Sequence, residues 1–125
     1  MMGSIFLLLI LFQIKHWYID FVDQTNEEVA HKGIYLDWIG LRHSLKQGLG
    51  TGICLLLVFG FDSWPFCVIL GVFDFIMHYH IDWSKINLNK RLGYTIDMPQ
   101  FWTLLGLDQL AHQITYIGIA YLTII

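Results

Sequence analysis

The chain has 125 residues, of which 56% are hydrophobic and 14% are charged, and its formal net charge is -3 at pH 7. This length predicts one domain, and this composition predicts an integral membrane protein rather than a soluble one. A nucleic-acid-binding protein is excluded, because the chain has no basic stripe and no alternation of aromatic and basic residues. Cys54 and Cys67 lie in apolar stretches and form no CxxC motif, which indicates buried free thiols.

Four stretches are long and apolar enough to cross a membrane, which requires about 20 mostly apolar residues. They lie at about 2–24, 36–60, 64–84 and 101–125. We therefore predict an all-α fold, a four-transmembrane-helix bundle in which residues 1–125 form a single integral-membrane domain. The first stretch lacks a basic leading segment and a small-residue cleavage site, so we interpret it as a retained span and not as a secretory signal.

Capping patterns separate the predicted spans. Asn26, which precedes two glutamates, is typical of a helix start, and a short surface helix is predicted up to about Gly33. Pro65 and Pro99 each follow a start pattern and are expected in the first turns of the third and fourth spans. Residues 84–96 are predicted to form the one long polar loop.

Basic and aromatic residues predict the orientation of the bundle. All seven Lys and Arg residues lie in or beside the first and third loops: Lys15, Lys32, Arg42, Lys46, Lys85, Lys90 and Arg91. The positive-inside rule then places both loops in the cytoplasm and both termini outside, as expected for a protein of the bacterial inner membrane. Tryptophans near the predicted span ends suit the headgroup layer: Trp38, Trp64, Trp83 and Trp102.

Each predicted span carries ionisable residues, and a charge inside a bilayer costs roughly 2.5 to 3.5 kcal/mol. Most of them are spaced four residues apart, a spacing that puts side chains on one helix face. The stripes are His16, Asp20 and Gln24 in the first span, His43 alone in the second, Asp74, His78 and Asp82 in the third, and Asp108 and His112 in the fourth. In the predicted orientation these groups gather in the cytoplasmic leaflet.

Imidazole and carboxylate side chains at this spacing favour a borderline divalent metal, zinc, manganese or iron, bound as one ion or two. The candidate ligands are His16, Asp20, His43, His78, Asp82, Asp108 and His112. Among them, Asp20, His43 and Asp108 are the candidates for catalytic proton transfer. Gln24, Gln109 and Asp74 are expected to support the ligands. His31 and His80 lie off the stripes and are interpreted as surface or interfacial groups.

Three other interpretations of the stripes carry less weight. Snorkelling to the headgroups favours Lys and Arg over short Asp and His side chains. Haem ligation is disfavoured because each histidine stripe has a carboxylate one turn away, which suits an apolar porphyrin poorly. A proton or ion pathway is the strongest competitor, although the outer half of each span is apolar.

The motifs HxxxDxxxQ at 16–24, the lone His43, HxxxDxxK at 78–85 and DQxxH at 108–112 also occur together in a known family. In order and spacing they resemble domain of unknown function 3307, a small integral-membrane family of bacteria and phages. The resemblance covers nearly the whole chain and implies a fold and site positions, but no reaction. A more distant similarity to membrane-bound metal-dependent hydrolases, which carry HxxxD pairs on helices, implies hydrolysis.

These patterns together predict a metal-dependent hydrolase that acts on a lipid-like ester or phosphoester at the cytoplasmic leaflet, with membrane lipid as its partner and no nucleic acid. Two alternatives stay open. The first is a non-enzymatic protein with a structural metal site, either a homo-oligomer or a subunit of a larger membrane assembly. The second is a component of a proton or ion pathway.

Overall fold

The computed structural model describes all 125 residues, and every regular element in it is helical. The elements in chain order are α1 (Met2–Trp17), a π-helical turn (Tyr18–Asp23), α2 (Asn26–His31), α3 (Trp38–Phe59), a 3-10 turn (Phe61–Ser63), α4 (Trp64–Leu92) and α5 (Pro99–Leu122). The all-α class predicted from the sequence is confirmed.

Two helical segments are long and apolar enough to cross a membrane: Met2–Asp23, with 22 residues, and Phe61–Leu92, with 32 residues. The sequence predicts four spans, but α3 and α5 do not meet the same criterion of length and composition. Polar residues such as Gln47 in α3 and Gln109 in α5 interrupt the apolar runs of these two helices.

Helix α4 is longer than the sequence predicts. It continues through residues 84–92, which were expected to be loop, and it ends at Gly93 in the left-handed conformation at φ +70°. The amide of Tyr94 donates to the carbonyl of Asn89 at 2.9 Å, a bond typical of a glycine-terminated helix. Lys90 and Arg91 in the last turn favour this ending, because cations suit a helix C-terminus.

The other helix starts follow the expected chemistry with one exception. Thr25, and not Asn26, caps α2, because its hydroxyl accepts a hydrogen bond from the Glu28 amide at 3.1 Å and Asn26 is already helical. Pro65 and Pro99 lie in the first turns of α4 and α5, as predicted.

Helices α3 and α4 form the most extensive pair in the bundle and cross at two glycines. A Cβ atom at Gly48 would lie 2.6 Å from the Gly71 carbonyl oxygen, and a Cβ at Gly71 would lie 2.8 Å from the Gly48 oxygen. Only glycine permits the two backbones to approach this closely.

Apolar side chains are divided between one end of the interior and the outer surface. The core cluster comprises Leu8, Phe12, Cys54, Leu55, Cys67, Leu70, Tyr116, Ile119 and Ala120. Large apolar side chains are also exposed on the outer faces of all four long helices, among them Phe6, Leu49, Ile69 and Leu110. Polar and charged residues are the larger group among the buried side chains, the reverse of the usual pattern in soluble proteins.

Candidate metal centre

The seven predicted ligands come together at one end of the bundle and are all buried; we call them the ligand cluster. They are His16, Asp20, His43, His78, Asp82, Asp108 and His112. Asp20 lies in the π-helical turn that ends the first long helix, and His43 lies in the second turn of α3. π-Helical turns are rare and are found frequently at functional sites.

Four ligand atoms converge in the middle of the cluster: Oδ1 of Asp20, Nε2 of His43, Nε2 of His78 and Oδ2 of Asp82. The His43 atom lies 2.9 Å from that of Asp20, 3.3 Å from that of His78 and 3.6 Å from that of Asp82. The His78 atom lies 3.5 Å from that of Asp20 and 3.2 Å from that of Asp82. Ligands bound at 2.0–2.1 Å around a tetrahedral ion are about 3.3 Å apart, so these spacings fit a divalent metal.

Asp82 connects these atoms to a second group. Its Oδ1 atom lies 3.1 Å from Nε2 of His112, which in turn lies 3.5 Å from Oδ1 of Asp108. The rings of His78 and His112 stack with their centroids 4.1 Å apart. The buried sets Asp20–His43–His78 and His78–Asp82–His112 are each close enough to hold a metal ion. The two oxygens of Asp82 therefore face different potential metal positions.

Several polar atoms of the cluster are enclosed without a hydrogen-bond partner. They are Oδ2 of Asp82, Oδ1 of Asp108, Nδ1 of His43 and Nδ1 of His78. A buried polar atom left unpaired costs about 1–3 kcal/mol, which a bound cation can offset at Oδ1 of Asp108, whereas Oδ2 of Asp82 already faces the Lys32 ammonium group. Mixed imidazole nitrogen and carboxylate oxygen donors suit zinc, manganese or iron.

Glu28 is a buried member of the site that helical spacing in the sequence does not predict. Its Oε2 atom lies 3.4 Å from Nδ1 of His43, and its Oε1 atom accepts hydrogen bonds from Arg42 at 3.2 Å and Lys46 at 2.8 Å. A carboxylate beside Nδ1 keeps a proton there and leaves Nε2 free to coordinate a metal. Burial on its own raises the pKa of Glu28, but the hydrogen bond and charge of Lys46, with the charges of His43 and Arg42, hold that pKa below its usual value.

Two lysines pair with ligand carboxylates. Nζ of the buried Lys32 lies 3.0 Å from Oδ2 of Asp82, and Nζ of Lys85 lies 3.4 Å from Oδ2 of Asp108. Asp20 has no lysine partner, and its Oδ1 atom instead accepts a hydrogen bond of 2.7 Å from Gln47 Nε2. No sequence pattern indicates that the Lys32 side chain turns inward, because its neighbours in the chain form a polar connection.

Only one of the three predicted supporting residues contacts a ligand. Oε1 of Gln109 lies 2.9 Å from Nε2 of His16, and the Tyr116 hydroxyl lies 2.8 Å from its Nδ1. His16 thus has partners at both ring nitrogens and lies at the edge of the cluster, 3.3 Å from Oδ2 of Asp20. The side-chain oxygen of Gln24 is buried but contacts none of these groups.

Asp74 belongs to a separate polar network deeper in the bundle. Its Oδ2 atom lies 3.1 Å from Nζ of Lys15 and accepts a hydrogen bond of 2.6 Å from Thr51. Lys15 Nζ also donates to Oε1 of Gln47 at 2.8 Å and to the Tyr116 hydroxyl at 3.2 Å. The expectation that Lys15 flanks a cytoplasmic loop is wrong, since a buried carboxylate draws its ammonium inward.

The remaining histidines and the cysteines lie outside the ligand cluster. His31 pairs with Asp37 at 2.8 Å, and Nδ1 of His80 lies 2.7 Å from the Ile76 carbonyl oxygen. Cys54 and Cys67 are both buried and free.

No protein-family model matches the chain, and no curated protein or solved structure is significantly similar to it. The resemblance to domain of unknown function 3307 and to membrane-bound hydrolases therefore stays a prediction.

A cavity of about 370 Å³ opens between α4 and α5 beside the ligand cluster; we call it the α4–α5 cavity. Its polar lining comprises His80, Ser84, Lys85 and Asp108, and its apolar lining includes Met77, Leu104 and Leu107. Because Asp108 belongs to both the cavity wall and the cluster, the cavity reaches the edge of the candidate metal centre.

Proposed function

We propose that the protein is a metal-dependent hydrolase that acts on an ester or phosphoester of a lipid-like substrate. One or two divalent ions, zinc, manganese or iron, bind in the ligand cluster near the cytoplasmic leaflet. The observation that carries this proposal is the position of Asp108, which joins a buried set of metal-binding groups to a partly apolar cavity. Catalytic metal sites keep a path for substrate, whereas structural sites are closed.

The distribution of polar and apolar side chains supports a membrane location and a four-span bundle. All four long helices expose large apolar residues on their outer faces, while ionisable residues fill the interior. In lipid this arrangement is favourable, because charged residues of membrane proteins face the bundle interior. The interior polar groups also explain why hydropathy alone identifies two of the four helices.

In this proposal the cluster end of the bundle faces the cytoplasm, because basic residues lie there, among them Lys32, Lys85 and Lys90. Both termini then lie outside the cytoplasm. A single cysteine introduced at residue 2 or at residue 124, in a chain whose native cysteines are replaced by alanine, should react with a membrane-impermeant maleimide in intact cells. Labelling that requires cell lysis would overturn this orientation.

Each catalytic candidate has a position that suits proton transfer. A bound ion would supply water with a pKa lowered to about 7. Asp108 lies at the cavity wall, where its carboxylate can accept a proton from water that enters from the cavity. His43 and Asp20 are 2.9 Å apart, so His43 can serve as ligand or as proton shuttle to Asp20.

Metal content is the first test of the proposal. Protein purified in detergent should contain one or two equivalents of a divalent metal by mass spectrometry, and the double substitution H78A/D82A should remove it. Purified protein should also hydrolyse at least one member of a panel of acyl esters and phosphoesters, and chelation should abolish that activity. Protein that contains no metal and binds none would overturn the proposal.

A structural metal site is the second candidate. Five of the six distances among the ligand atoms of Asp20, His43, His78 and Asp82 lie between 2.9 and 3.6 Å, and four ligands are enough to close a tetrahedral site. On this hypothesis the protein is non-enzymatic and acts as a homo-oligomer or as a subunit of a larger membrane assembly. Unfolding on chelation, together with no hydrolysis across the panel, would favour it over the hydrolase.

A proton or ion pathway finds less support. The polar network beyond the ligand cluster reaches Lys15 and Asp74, but the apolar core that contains Leu8, Phe12 and Leu55 fills the opposite end of the bundle. Flux of protons or metal ions in proteoliposomes, dependent on Asp74, would contradict this argument.

A further inference from the structure

Two lysines beside the ligand cluster bear on the charge of the substrate. We infer that the substrate is an anionic phosphoester, that Lys85 binds its phosphoryl oxygens at the cavity, and that Lys32 supplies a positive charge inside the cluster that the anion balances. This inference rests on the proposed metal-dependent hydrolysis and narrows its substrate class to phosphoesters.

Lys32 occupies a position where a metal ion and an ammonium group compete for the same atom. Its Nζ lies 3.0 Å from Oδ2 of Asp82, and that oxygen also lies 3.2 Å from Nε2 of His78 and 3.6 Å from Nε2 of His43. The oxygen is thus paired with the ammonium group on one side and faces the two imidazoles on the other. A metal ion held by the imidazoles would compete with the ammonium group of Lys32 for this oxygen.

The charges of the site indicate which ligand the cluster would accept with an ion bound. A divalent ion held by the cluster would offset two carboxylate charges, so the positive charge of Lys32 would no longer be balanced. Lys32 is buried, with only 6% of its surface exposed, and an unpaired charge in such a place is costly. An anionic ligand restores the balance, whereas a neutral carboxylic ester leaves the charge unpaired.

Lys85 also favours an anionic substrate, in this case at the cavity. It lies 3.4 Å from Oδ2 of Asp108, and both residues line the α4–α5 cavity. A phosphoryl group that enters from the cavity meets Lys85 beside the cluster, and its apolar substituent can lie along Leu104 and Leu107. Charge-assisted hydrogen bonds from ammonium groups to phosphoryl oxygens are stronger than neutral ones.

Binding of inorganic phosphate tests the inference directly. Calorimetric titration of zinc-loaded protein in detergent should detect phosphate binding, and K32M and K85M should each weaken it about tenfold or more. K32R should retain most of the affinity, because it keeps the charge. K90M is the matched control, since Lys90 is an exposed lysine on the same helix as Lys85. Phosphate affinity that is equal in wild type, K32M and K85M would overturn the inference.

A pair of substrates separates this inference from the proposed function. A p-nitrophenyl phosphodiester and a p-nitrophenyl carboxylic ester with the same alkyl chain should differ in kcat/KM, with the phosphodiester preferred. K85M should lower kcat/KM for the phosphodiester about tenfold more than it lowers kcat/KM for the carboxylic ester. The melting temperature and zinc content of each variant must match those of wild type. If K32M does not fold, K85M alone tests the inference.

The outcomes are distinct. Hydrolysis of the carboxylic ester with no preference for the phosphodiester would overturn the inference and leave the proposed function intact. Zinc-loaded protein that hydrolyses neither compound and binds no phosphate would overturn both.

Discussion

Oε2 of Glu28 and Nδ1 of His43 face each other at 3.4 Å inside the bundle, and neither atom has a hydrogen-bond partner. Helix α2 is therefore more than a connection between α1 and α3. It carries a carboxylate to the Nδ1 side of a candidate ligand, where a negative charge favours a proton on that nitrogen.

We expect E28Q to weaken metal binding about 10- to 100-fold, because residues that orient a ligand histidine typically contribute this much to affinity. Competition with a chromophoric chelator measures the effect. E27Q is the matched control, since Glu27 is the exposed neighbour of Glu28. Equal affinities in wild type and E28Q would show that the Glu28 carboxylate does not orient His43.

Glu28 should also make the stability of the fold depend on pH. Its pKa is lower in the folded chain than the ordinary value of 4.5, so the folded state is favoured above that pH and loses this contribution as the pH falls further. The difference in melting temperature between wild type and E28Q should therefore be largest at neutral pH and should shrink below about pH 4.5. A difference that grows on acidification would contradict this.

His78 and His80 provide a test of the cluster within a single turn of α4. Nε2 of His78 lies within 3.5 Å of ligand atoms from Asp20, His43 and Asp82, whereas His80 is exposed and bonds to the Ile76 carbonyl. We expect H78A to lose at least one equivalent of metal and H80A to retain all of it, as measured by mass spectrometry of the purified proteins. Equal metal loss in both variants would place the metal elsewhere.

The ion pair between Lys15 and Asp74 should be important for folding. K15M leaves the Asp74 carboxylate buried without its cation, and breaking a buried pair in this way costs about 3–5 kcal/mol. The double variant K15M/D74N should recover part of that loss, because it removes the charge that was left unpaired. Thermal unfolding in detergent measures both, and additive effects of the two substitutions would show that they do not interact.

Close contact between α3 and α4 predicts that alanine substitutions at two glycines differ strongly in their effect on stability. G48A should destabilise the bundle by about 1–3 kcal/mol, because its methyl group would overlap the Gly71 carbonyl oxygen. G118A should have little effect, since a Cβ atom at Gly118 has no neighbour within 4 Å. Melting temperatures of the two variants test the difference, and equal values would contradict the observed crossing.

The sequence predicts much of the site because helical spacing determines which side chains are neighbours. His78 with Asp82, and His112 with Asp108, are four residues apart and lie 3.2 and 3.5 Å apart in space. Contacts between different helices, such as that of His43 with Asp20, also depend on how each helix is rotated about its own axis. The prediction that these residues lie in one leaflet constrains that rotation only loosely.

Glu28 and Lys32 could not be predicted in the same way. Their positions depend on the path of a connection that bends at Leu36, with φ +62°, and is held to α4 by the hydrogen bond from Asn87 to the Gly33 carbonyl oxygen. No periodic pattern in the sequence predicts the contact of Glu28 with His43 or that of Lys32 with Asp82. Lys15 was misplaced for a related reason, because a lysine near the end of an apolar span is usually expected to extend toward the headgroups.

The pairing of lysines with buried carboxylates has a consequence for how the protein is made. Lys15, Lys32 and Lys85 already provide counter-charges for Asp74, Asp82 and Asp108, so the helices can associate before any metal is delivered. On the proposed function, the metal-free protein would then be a folded precursor, and metal loading would be a later maturation step.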